Sequence, residues 1–144
     1  MDFTTEGVGE KEQFGAYTVI PRGVYAMKIA RLEDKKTKAD KPYISMEFDI
    51  IEGEYKGRKL WKEIYLVGST PEKTDTLKAM FRGMLKDLGL QAPEQRDKIT
   101  STEILANFCV DFTVNGYVNV EAWEGVERNK VGKIELVNAS KMPF

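Results

Sequence analysis

No histidine occurs anywhere in the chain. That absence excludes His-dependent triads, His–Cys dyads and most zinc sites. One cysteine, Cys109, excludes an internal disulfide framework. Flanked by Phe108 and Val110 in an alternating segment, it reads as a packing residue or a neutral surface position. There is no GxSxG elbow, no phosphate-binding glycine loop and no paired-cysteine metal motif. No apolar run approaches the roughly 20 residues of a membrane helix, and no signal peptide opens the chain. The expectation is a cytoplasmic protein with no membrane partner, no cofactor and no metal. Net charge is −1, so no global basic field announces nucleic acid, and any such attraction must come from local patches.

What is present is ordinary globular material. The 144 residues are 42% hydrophobic and 31% charged, enough for one domain with a real core. Residues 1–21 read as a loosely ordered, polar arm carrying Phe3, Phe14 and Tyr17. A domain is expected over 22–138, with a tail at 139–144.

Within the domain, Val24 to Leu32 reads as a first strand and Glu33 to Lys41 as a charged loop. Pro42 to Ile51 alternates as a second strand: Ile44, Met46, Phe48 and Ile50 on one face, Tyr43, Ser45, Glu47 and Asp49 on the other. Arg58 to Leu66 alternates as a third, with Leu60, Lys62, Ile64 and Leu66 opposite Lys59, Trp61, Glu63 and Tyr65. Between these strands, Gly53 and Gly57 bracket a polar turn holding Tyr55. Glycine reaches φ > 0 without steric cost, so this is where a hairpin reverses.

A helix follows. Thr70-Pro71-Glu72 supplies an N-cap region, a first-turn proline and an acid at the positive end of the dipole. Leu77, Met80, Phe81, Met84, Leu85 and Leu88 form one apolar stripe, and Gly89 ends it. Gln91 to Asp97 reads as a polar connection and Thr102 to Ala106 as a short helical turn. Phe108, Val110, Phe112 and Val114 then alternate as a fourth strand, with a turn or bend at Asn115-Gly116, an extended stretch to Trp123 and a last strand over Val131 to Val137. Three strands, a helix, then further strands is the order of a mainly β, five-stranded Greek-key barrel of the OB type, with its helix between strands three and four. An α+β sheet with one covering helix is the other solution.

Catalysis has no support. Asp34 with Asp40, and Glu52 with Glu54, are carboxylate pairs, but each lies beside lysines and reads as solvated surface. The open face of the hairpin is the better clue. If Ile44, Met46, Phe48, Leu60 and Ile64 form the core, then Tyr43, Trp61 and Tyr65 point outward with Lys59 beside them. Such a row is where OB-folds stack unpaired bases, each worth roughly 1–3 kcal/mol whatever its identity. The plainer reading covers these rings with the N-terminal arm or a dimer partner, because large aromatics also serve cores and interfaces. Lys35, Lys36, Lys38 and Lys41 crowd the first loop; Arg128, Lys130 and Lys133 crowd what reads as the loop before the last strand. In an OB barrel both loops flank the binding face and would supply phosphate contacts. Asp34, Asp40, Glu124 and Glu127 dilute both patches, and Glu47, Asp49 and Glu63 would repel phosphate.

Pro21-Arg22-Gly23-Val24-Tyr25, Tyr43 to Phe48, the block from Ile51 to Trp61, Leu88-Gly89 and Asn129-Lys130-Val131 together follow a recurring pattern. The chain resembles a family of small phage-encoded proteins catalogued as a domain of unknown function. The resemblance implies an OB-fold protein that binds single-stranded DNA in phage replication or recombination, in the host cytoplasm. Tyr43, Trp61, Tyr65 and Trp123 would stack bases. Lys35, Lys36, Lys38, Lys41, Lys59, Arg128 and Lys130 would meet phosphates. The terminal Pro143-Phe144 is similar to the end of bacterial single-stranded-DNA-binding proteins, without their acidic tail, and is a candidate hook for host or phage replication and recombination proteins. An edge strand or the hairpin is a candidate homodimer contact. The alternative function is a protein-interaction module that modulates a host or phage enzyme through the same face.

Overall fold

In the computed structural model, residues 18–139 are described. Most of the expected arm, most of the tail, and Pro143 and Phe144 lie outside them. Five antiparallel strands form one sheet: β1 (Gly23–Lys36), β2 (Pro42–Ile50), β3 (Lys59–Ile64), β4 (Thr113–Trp123) and β5 (Val126–Asn138), in the order β3-β2-β1-β4-β5. Three helices intervene between β3 and β4: α1 (Pro71–Asp87), α2 (Pro93–Asp97) and α3 (Thr102–Cys109).

The central strand β1 serves two neighbours. Gly23 to Lys28 pairs with β4, and Met27 to Lys36 pairs with β2. A register shift between Ile29 and Arg31 lets the strand bend where it changes partner. The sheet curls so that its two edge strands approach, but no ladder joins β3 to β5 among the described residues. It is an open curled sheet rather than a closed barrel. Lys62 spans the seam: its Nζ donates to the carbonyls of Gly132 at 2.8 Å and Val131 at 3.4 Å.

The inner face carries the core. Met27, Ile29, Met46, Phe48, Leu60, Ile64, Val114, Val118, Val131 and Ile134 are buried with Met84 and Leu85 of α1, its C-cap Leu88, and Leu105 and Cys109 of α3. The α1 stripe therefore packs as its spacing predicts at its C-terminal half, while Met80 stays exposed. Thr70 caps the helix by accepting from the Lys73 amide, and Gly89, at φ 111°, lets Leu90 donate back to the Leu85 carbonyl.

Five expectations need correction. The first strand runs on to Lys36, so Lys35 and Lys36 are strand residues and the turn is only Thr37 to Lys41. The connection Gln91–Asp97 contains α2. Phe108 and Cys109 close α3 instead of opening a strand: Ser101 caps the helix by accepting from the Ile104 amide, and Leu105 and Cys109, four apart, bury their side chains on one helical face. Of the turn or bend expected at Asn115-Gly116 the turn is absent, while the ladder to β5 shifts register between Gly116 and Val118. Gly116 continues β4 and is small because a Cβ there would lie 1.9 Å from the Met27 methyl. The real reversal is Glu124-Gly125, both at positive φ, so Arg128, Lys130 and Lys133 lie in β5 and not in a loop.

The N-terminal residues that are described lie against the seam end. Asn129 of β5 accepts from the Ile20 amide and donates to the Ile20 carbonyl, both at 2.9 Å, as a neighbouring strand would. Arg58 donates to the Thr18 carbonyl from the other side. Ile20 is fully buried beneath this clasp.

Candidate functional site

The outward face of β2 and β3 is set by the pleat. Burying Ile44, Met46, Phe48, Leu60 and Ile64 turns Tyr43, Ser45, Glu47, Asp49, Lys59, Trp61 and Glu63 to the other side. Trp61 stands opposite Glu47 in the ladder and is 50% exposed. Four residues on, just past the end of β3, Tyr65 packs against Tyr43 with ring centroids 5.1 Å apart. Lys41, the last residue of the turn before β2, holds its ammonium 5.0 Å from the Tyr65 ring centre. Trp61 and the Tyr43–Tyr65 pair therefore share one face, about 13 Å apart at the usual strand rise.

Charge on this face is arranged in pairs. Glu47 is nearly buried and receives Arg31 Nε and Lys59 Nζ, both at 3.3 Å. Lys59 also meets Asp49 at 2.6 Å, and these hydrogen bonds, Asp49 first, raise the pKa of its ammonium. Lys59 is thus committed to two carboxylates. Arg31, which no motif singles out, faces outward beside it. Burial, then the hydrogen bond to Glu63 at 3.1 Å, raises the Tyr65 phenol, keeping it neutral.

The two groups of cations lie apart. Lys35 and Lys36 end β1, paired with Glu33 at 3.8 Å and Asp40 at 3.4 Å. Lys38 and Lys41 follow in the turn, with no ion pair among the described residues. Arg128 and Lys130 lie on the β4–β5 hairpin, where Lys130 meets Glu121 at 3.5 Å. Register puts that hairpin beyond Gly23, at the opposite end of β1 from Lys36. Trp123 belongs to this second group. It sits at the hairpin tip, 67% exposed, opposite Val126. The structure thus brings together Tyr43, Tyr65 and Lys41, sets Trp61 and Lys59 on the same face, and places Trp123, Arg128 and Lys130 on a separate projection.

No group of three or more metal-ligating side chains occurs among the described residues. No helix there is long and apolar enough to cross a membrane.

Residues 8–133 match a family described as "Protein of unknown function (DUF669)". The chain belongs to that family. The match covers the whole sheet except the end of β5, together with all three helices. No curated protein matches the sequence. The family description assigns no activity.

Proposed function

We propose that this DUF669 protein binds single-stranded DNA without catalysis, as a phage-type protein of DNA replication or recombination. The observation that carries the reading is the exposed Trp61 beside the Tyr43–Tyr65–Lys41 group on one open sheet face. Rings held rigid on strands offer flat, sequence-tolerant surfaces to unpaired bases, and a cation over one ring gives the backbone a counter-charge.

The topology supports an OB-type reading. An OB barrel opened at one seam has the order found here, with its helical insertion between strands three and four. We read the Lys62 bridge as that seam. In this reading β2 and β3 form the binding floor, and the two hairpins rise from opposite ends of β1. Lys35, Lys36, Lys38 and Lys41 take phosphates at one side, Arg128 and Lys130 at the other.

A second reading has its own observation. Lys59 is held by two carboxylates and Glu63 stays exposed, so the middle of the face offers less positive charge than a phosphate track prefers. A protein-interaction module using the same aromatics fits that charge. Pull-down from host lysate with and without nuclease separates the two: a partner that survives nuclease favours the module. Fluorescence anisotropy with a poly-dT oligonucleotide at low salt tests the DNA reading, and no binding there contradicts it.

A further inference from the structure

An apolar cavity of about 510 Å³ opens beside the aromatic face, between the β1–β2 hairpin, α1 and the segment joining α2 to α3. Its floor is Ile44, Ile64, Leu66, Phe81 and Ile99. Its size lies within the roughly 300–1,000 Å³ of small-molecule sites, and so does its character, an apolar lining with a few convergent polar groups. Those groups come from Asp34, Thr100, Ser101 and Thr102, with the Ser101 hydroxyl also capping α3 by accepting from the Ile104 amide at 3.1 Å.

Three observations bear on what fills it. Tyr43 lines the cavity and also makes the ring pair with Tyr65, so cavity and aromatic face share a wall. Lys35 and Lys36 form part of its rim, and Lys41 stands over Tyr65 next to it. The Lys35 and Lys36 ion pairs are exposed, so they hold those ammonium groups only weakly against a competing anion. Asp34 Oδ1 accepts the Thr102 hydroxyl at 2.5 Å. A carboxylate has about four lone-pair sites, so acceptor capacity remains for an N–H of a heterocycle.

We infer that this cavity takes one unstacked nucleobase of the bound strand, with the adjoining phosphate on Lys35, Lys36 and Lys41. The inference rests on the single-stranded-DNA reading and adds a base-inserting pocket to the stacking platform. An apolar floor receives the ring faces, Asp34 and the Thr100–Thr102 hydroxyls meet its polar edge, and the cationic rim fixes the strand entering from Tyr65.

The test fills the pocket from its exposed side. Val67 lines the cavity and is 53% exposed, so Val67→Trp occupies the space without disturbing the buried core. Met80→Trp, on the exposed side of α1, controls for added bulk. Anisotropy with a dT oligonucleotide is measured for wild type, Trp61→Ala, Val67→Trp and Met80→Trp, beside their thermal midpoints. The expected result is an affinity loss of about tenfold for Val67→Trp, the scale of one base contact, with Met80→Trp unchanged. Should Val67→Trp lower the midpoint, Thr100→Trp, at a second exposed residue of the cavity lining, replaces it and is expected to lose affinity similarly. Wild-type affinity in the folded pocket variant, with Trp61→Ala still defective, overturns the pocket and leaves the DNA reading standing. No binding by wild type overturns the DNA reading itself. Thymidine monophosphate alone, titrated by NMR, should shift Ile99 and Thr100 signals. Shifts there from an apolar peptide and none from the nucleotide overturn the nucleobase assignment.

Discussion

Lys62 of β3 donates its ammonium protons to the carbonyl of Gly132 in β5 across 2.8 Å. One side chain thus stands where a ladder would close the sheet. Burial, with the neighbouring charge of Lys130 adding to it, lowers the pKa of this ammonium from its ordinary value of 10.5. Lys62→Ala leaves the Gly132 and Val131 carbonyls without this donor and should cost about 1–3 kcal/mol in urea unfolding. The pH dependence has a definite sign. With the folded pKa below the unfolded one, the folded state releases this proton first. The penalty on the charged form is full below the folded pKa and is relieved as pH rises toward 10.5. Wild type should therefore gain stability relative to Lys62→Ala over that window, and a gap that shrinks with rising pH would contradict this.

Gly116→Ala should be destabilising by about 1–3 kcal/mol, since its Cβ would overlap the methyl of Met27 inside the core. The clash is with the end of a flexible side chain. Met27→Val in the same molecule should therefore recover part of the loss, giving a double-mutant coupling of favourable sign.

Asn129→Ala should expose the Ile20 segment. The amide side chain satisfies both backbone groups of a buried residue 109 positions away in sequence. Its removal should cost roughly 1–3 kcal/mol. Hydrogen exchange at the Ile20 amide should accelerate well before that of Met27 or Phe48 in the core.

How much of this was legible in the sequence depends on where the information sat. Thr70-Pro71 and Gly89 mark α1 because caps are local chemistry. The alternation around Gly53 and Gly57 gave β2, β3 and the outward set, and both glycines adopt φ near +90°. Phe108 to Phe112 misled because a short helix leaving the core and a strand entering it can show the same alternation. Asn115-Gly116 misled because a glycine kept for a tertiary contact with Met27 looks like a turn glycine. The outward faces of Tyr43 and Tyr65 followed from alternation, whereas their ring pair depends on the register that sets Ile44 opposite Ile64. The double grip on Lys59, the Lys62 seam and the Asn129 clasp are long-range and carried no local signal.

Binding should depend on salt in proportion to the phosphates met. For a single strand the log–log slope is about −0.7 per phosphate. Removing Lys41, which has no ion pair among the described residues, should reduce that slope by about that amount. Removing Lys59 should change it less, because Lys59 already neutralises Glu47 and Asp49.

The central claim is that the Trp61–Tyr65 face binds single-stranded DNA, and it is tested most directly by anisotropy of a labelled dT oligonucleotide against wild type and Trp61→Ala/Tyr65→Ala. Trp61 is half exposed, so Trp61→Ala removes about half of the ring's packing and should cost about 1–2 kcal/mol of stability. Wild type should bind at low salt, and the folded double variant should lose at least tenfold in affinity, the scale of stacked bases. Full binding by the double variant, or none by wild type, would contradict the account.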